Sequence, residues 1–158
     1  MRCKYFFILT TICFLLFAFT GCFPEMADSD KIYKREHELF NDTSSILFEM
    51  LDEKIFDAGA FLNIFDTEYI EGNENALKNA ELVDLLKKLS KNAEIAQVYV
   101  VDKNVILYSH GAYFQSVSGI VKTRNNPELK ANWGNTGFDG CMTYKEIDAG
   151  TFSFSDGL

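Results

Sequence analysis

Cys141, His110 and Asp139 are the only set in this 158-residue chain that could imitate the triad of a thiol hydrolase. A nucleophilic cysteine needs an imidazole within hydrogen-bond reach and a third group to orient that imidazole. Gly140, between Asp139 and Cys141, suits an exposed turn. The same residues also fit a structural cysteine at a strand edge with Asp139 capping a turn, since free cysteine is among the most buried residue types. The structural assignment is adopted, and no catalytic residue is assigned. A metal centre needs several ligands in fixed geometry. The two histidines, His37 and His110, stand in different halves of the chain, and Lys34, Arg35, Glu36 and Glu38 around His37 mark a solvated helix face. Glu68, Glu71 and Glu74 lack the alternating acids before glycine of a calcium loop. No phosphate loop, dinucleotide fingerprint or Gly-x-Ser-x-Gly elbow occurs. The expectation is therefore a chain with no metal and no cofactor. The remaining candidates are the aromatics Tyr113, Phe114, Trp133 and Phe138 in a glycine-rich region. Loop aromatics serve as ligand anchors, or they close a core beneath an irregular loop.

Charge narrows the partners. The chain has 15 basic and 23 acidic residues and a formal net charge of −8. Both basic residues of the first 21 are at its start, Arg2 and Lys4; the following 137 residues carry 13 basic and 23 acidic side chains, or about −10. Nucleic-acid binding needs a basic surface, and adhesion to anionic lipid favours basic patches. Neither is expected here.

The N-terminus has the order of an export signal: Arg2 and Lys4, an apolar stretch from Tyr5 to Phe19, then Thr20-Gly21-Cys22. The apolar stretch of 15 residues is short for a transmembrane helix. The segment Phe19-Thr20-Gly21-Cys22 resembles the lipobox of bacterial lipoproteins, with Phe19 where that motif usually has an aliphatic residue. The resemblance implies that residues 1–21 are a signal peptide and that the Cys22 thiol receives diacylglycerol and becomes the mature N-terminus. Residues 22–31 would then be a lipidated tether on the extracytoplasmic face of the cell membrane. An uncleaved anchor or ordinary secretion would also place the domain outside. Of the four cysteines, Cys3 and Cys13 leave with the signal and Cys22 is acylated, so Cys141 alone remains and no internal disulfide is expected.

Residues 32–158 read as one domain. From Asp30 to Phe65, Phe40, Leu47, Leu51, Ile55, Ala58, Leu62 and Phe65 keep one helical face apolar. Asp42-Thr43-Ser44-Ser45 and Gly59 are candidate breaks. A loop is expected over residues 66–75, and a second helix from Ala76 to Lys91 with Leu82, Leu85, Leu86 and Leu89 inward. Strands follow over Ile95–Val101, Val105–Ser109, Tyr113–Thr123, Cys141–Ile147 and Thr151–Ser155, with Gly119 marking a bulge or close approach. The fold class is α+β: N-terminal helices on an antiparallel meander of about five strands.

The run from Ile95 to Ser109, with Asp102-Lys103-Asn104 between two strands, is similar to extracellular Cache-type sensor domains, over about 80 residues. These features together lead to an expectation of a membrane-anchored, non-enzymatic domain that binds a protein, peptide or small molecule. The alternatives are an envelope inhibitor or immunity-type protein that masks a basic partner, and a hydrolase using Cys141 and His110.

Overall fold

A computed structural model describes residues 28–64, 69–113, 116–130 and 142–156. Helix α1 spans Ser29–Asp52. Asp28 caps it, its carboxylate accepting from the Lys31 N–H at 3.2 Å. Ile32, Tyr33, Phe40, Leu47 and Met50 are buried along one face. The helix runs unbroken through residues 42–45. Thr43 Oγ1 donates to the Leu39 carbonyl at 2.7 Å, and the Ser44 hydroxyl is hydrogen-bonded to Tyr108 Oη at 2.7 Å. Hydroxyls that would otherwise favour a cap are thus satisfied inside the helix. The dihedrals depart from helical values at Glu36 instead (φ −114°, ψ 21°), where Arg35 donates to the Asn92 carbonyl of the second helix.

The expected helix to Phe65 is corrected. Lys54 adopts φ 57°, and the Ile55 N–H returns to the Met50 carbonyl at 2.9 Å, which closes α1. Strand β1 (Phe61–Ile64) and the short β2 (Ile70–Gly72) follow as a hairpin. The stripe misled because Leu62 satisfies both a helical spacing and the alternation that buries Leu62 and Ile64 in a strand. A 3₁₀ turn at Ala76–Lys78 precedes helix α2 (Ala80–Ala93). This helix starts later than expected because the Asn79 side chain caps it, accepting from the Leu82 N–H at 3.0 Å. Leu82, Leu85, Leu86 and Leu89 are buried.

Strands β3 (Gln97–Asp102), β4 (Val105–Tyr113), β5 (Ser116–Thr123), β6 (Met142–Asp148) and β7 (Thr151–Asp156) complete one sheet. Tyr113 belongs to β4 rather than to the following strand. The fold is α+β, but the sheet has seven strands, in the order β2-β1-β3-β4-β5-β7-β6. All pairs are antiparallel. It is not a plain meander, because the first hairpin lies between the two helices in sequence and β7 lies between β5 and β6 in space.

Alternation along the strands splits the core. Val98, Val100, Ile106, Tyr108 and Ile120 join the helices in the main cluster, and Phe40 meets Tyr108 edge-on at 5.2 Å between ring centroids. Val105, Leu107, Val121, Met142 and Phe154 form a second cluster on the opposite face, with Leu129 against it. Burial on both faces accounts for the apolar runs in the central strands. Gly119 is a close approach, as expected: a Cβ there would lie 1.9 Å from the Tyr108 carbonyl oxygen.

Candidate functional site

The helix-side face of the sheet changes character from centre to edge. In β4 and β5 it carries Ile106, Tyr108 and Ile120, all fully buried. Across β7 and β6 the same face turns polar. Ser118 pairs with Ser155, which pairs with Thr143; Ile120 pairs with Ser153, which pairs with Lys145. Side chains two apart in a strand share a face, so three strands present a row of hydroxyls and, beside it, a serine and a lysine. The first turn of α1 lies opposite. Asp28, Ser29 and Asp30 join Ser118, Thr143, Lys145, Ser153 and Ser155 around an open cleft of about 650 Å³.

The charges in this cleft are paired internally. Lys145 Nζ is hydrogen-bonded to the Asp30 carboxylate, and Lys31 Nζ lies 2.8 Å from Asp28. The Lys145 ammonium, and then the Ser153 hydroxyl, hold the Asp30 carboxyl below the usual carboxylate range. The Lys31 side chain and N–H do the same for Asp28. The Asp30 partnership pushes Lys145 up, so its ammonium stays protonated and supplies no base to a neighbouring serine. Thr143 Oγ1 and Ser155 Oγ are 3.0 Å apart. The Ser29 and Ser118 hydroxyls differ from these. Both residues are more than nine-tenths buried, at 7% and 8% exposure; both line the cleft; and neither side chain makes a hydrogen bond among the described residues. Hydroxyls and balanced charges of this kind can orient a polar molecule by hydrogen bonds.

The residues singled out from sequence fall elsewhere. Cys22, Glu68, Phe114, Trp133, Phe138, Asp139 and Cys141 lie outside the described residues. Tyr113 ends β4, paired with Ser116. His37 is exposed on α1, in a second groove of about 440 Å³ with Arg35, Glu38 and Lys88. Glu71 and Glu74 are exposed, on β2 and in the turn after it. No group of three or more His, Cys, Asp or Glu among the described residues is placed to hold a metal ion. His110 is buried at 4% exposure in β4, and neither ring nitrogen has a hydrogen-bond partner. Burial pushes its pKa down, opposed by the nearby Ala93 and Glu94 carbonyls and the Glu94 charge.

The cleft residues left a trace in the sequence. Thr151, Ser153 and Ser155 alternate with Phe152 and Phe154. Such alternation is the pattern of an edge strand with one side in solvent; here the start of α1 lines a cleft over part of the polar side. Comparison with protein-family models, curated proteins and solved structures finds no match to the chain.

Proposed function

We propose that this protein is an extracytoplasmic bacterial lipoprotein, anchored through Cys22, whose domain binds a polar ligand without transforming it. The observation that carries the binding role is the pair of largely buried residues, Ser29 and Ser118, that line the cleft with hydroxyls making no hydrogen bond among the described residues. A hydroxyl that no protein group engages can both donate to and accept from a ligand. The protonated state of Lys145 favours binding over serine catalysis, and the burial of both ring nitrogens of His110 disfavours its use as a general base.

The anchor rests on the order of charge, apolar stretch and Gly21-Cys22. No helix among the described residues is long and apolar enough to cross a membrane. Two or more acyl chains on Cys22 would hold the chain durably, at about 0.8 kcal/mol per buried methylene. Asp28 follows Cys22 by six residues, a reach of at most about 20 Å when extended. The cleft at the start of α1 therefore lies close to the lipid attachment point. The resemblance of the sequence Ile95–Ser109 to Cache-type sensor domains agrees with a ligand-binding role outside the cytoplasm.

Expression of the full-length chain in a bacterium with labelled palmitate tests the anchor. Wild type is expected to take up label, fractionate with membranes and lack residues 1–21 by mass. Cys22→Ala is expected to lose the label and keep the leader. An unlabelled wild type that begins at Met1, or one found in the cytosol, overturns the proposal.

A further inference from the structure

We propose that the ligand of this cleft is a neutral polyhydroxylated molecule, a mono- or disaccharide, held by the Ser29 and Ser118 hydroxyls, the Asp30 carboxylate and the N–H groups of the first turn of α1. This rests on reading the cleft as the binding site and adds the ligand's chemical class. The free groups decide between classes. Both carboxylates already have a lysine, Asp28 with Lys31 and Asp30 with Lys145, so an added cation would have to displace one. An anion would meet two carboxylates in the lining, within a chain of net charge −8; like charge lowers its local concentration. An apolar ligand would cover the Ser29 and Ser118 hydroxyls without giving them a partner, although Thr143 and Ser155 bond to each other. A neutral polyol meets none of these penalties.

Polyol chemistry also matches the donors and acceptors present. Each sugar hydroxyl donates once and accepts up to twice, and so does each serine or threonine hydroxyl. Asp28 takes up the Lys31 N–H and, through its carbonyl, the Ile32 N–H. The N–H groups of Ser29 and Asp30, at the first two helical positions, have no intrahelical acceptor by the geometry of a helix start. They are donors on residues that line a charge-balanced cleft. A carboxylate such as Asp30 keeps acceptor capacity beyond its bonds to Lys145 and Ser153 and can receive neighbouring hydroxyls. The volume, about 650 Å³, falls in the range of small-molecule sites, roughly 300–1,000 Å³.

The test uses the mature lipoprotein extracted from membranes in a detergent without a sugar headgroup. Titration calorimetry is run with glucose, N-acetylglucosamine, maltose and cellobiose, and with inorganic phosphate and glycine as anion and zwitterion. At least one saccharide is expected to bind with a Kd of about 1 mM or tighter. Ser118→Val, which fills the cleft floor, is expected to weaken it at least tenfold. Ser118→Ala removes a hydroxyl with no partner in the free protein, so it keeps the wild-type unfolding midpoint and still weakens the sugar severalfold; it serves if the valine variant does not fold. Binding of phosphate or glycine but no saccharide, weakened by Ser118→Val, overturns the polyol assignment and leaves the binding role standing. Saccharide binding indifferent to both Ser118 variants overturns the site. Absence of binding by every probe overturns both.

Discussion

His110 is the residue whose chemistry changed most between its type and its surroundings. A histidine offers a base, a ligand or a charge near neutral pH. Here the ring sits in β4 with both nitrogens buried and unpartnered, and desolvation pushes its pKa below the ordinary 6.5. The unfolded chain therefore binds a proton that the folded chain refuses. Stability is lost as pH falls through about 6.5 toward the lowered folded value. The slope there approaches at most about 1.4 kcal/mol per pH unit. Asp28, Asp30 and Asp52 are all shifted down; their contribution is present above about pH 4 and is lost on further acidification, in a separate window. Urea midpoints measured from pH 7.5 to 5 are expected to fall for wild type and to stay nearly level for His110→Leu. Parallel profiles for the two proteins would refute the assignment of that slope to His110. The sequence made His110 a candidate by type alone. The groups that act on its ring, Ala93 and Glu94, stand at the end of a helix that sequence spacing does not bring to β4.

At the scale of elements, β4 and β5 depend on one position that tolerates no side chain. A Cβ on Gly119 would lie 1.9 Å from the Tyr108 carbonyl and 2.7 Å from the Phe154 ring. The strands on both sides would have to separate, since the first obstacle is backbone. Gly119→Ala is expected to destabilise the domain by about 2–4 kcal/mol, read as a lower urea midpoint with an unchanged denaturant slope. A shift under about 0.5 kcal/mol, the usual range of surface changes, would show that the two strands do not meet as described. This requirement was legible as a glycine inside a strand pattern. The end of α1 was not. Leu62 and Ala58 continue the helical spacing, whereas the chain turns at Lys54 and pairs Gly59 and Ala60 with Val100 by backbone hydrogen bonds of 2.7 and 2.9 Å. That pairing joins residues forty apart, and no local preference announces it. The C-terminal end of α1 is tied further by Arg124, which holds Asp52 through two hydrogen bonds of 2.7 Å and stacks on Phe48 at 4.5 Å.

For the whole molecule, stability comes from packing in two clusters on opposite faces of one sheet. With Cys22 acylated and residues 1–21 removed, Cys141 has no partner within the mature chain. The unfolding midpoint of the mature protein is expected to be the same with and without a thiol reductant. A lower midpoint on reduction would reveal a disulfide and contradict the proposed fate of Cys22. Local chemistry was enough for several features: the leucine face of α2, the Asp102 turn, whose carboxylate accepts from the Asn104 N–H at 2.7 Å, and the final hairpin. Each involves residues within a few positions of one another, so propensity and spacing carry the information. Three outcomes needed distant residues to meet: the hairpin between the helices, the entry of β7 between β5 and β6, and the cleft where α1 begins over the hydroxyl row. Strand order is set by which faces must be buried together, a property of the assembled chain. The serines of β5 and β7 became a candidate site because residues 28–30 fold over them, more than eighty positions away in the sequence.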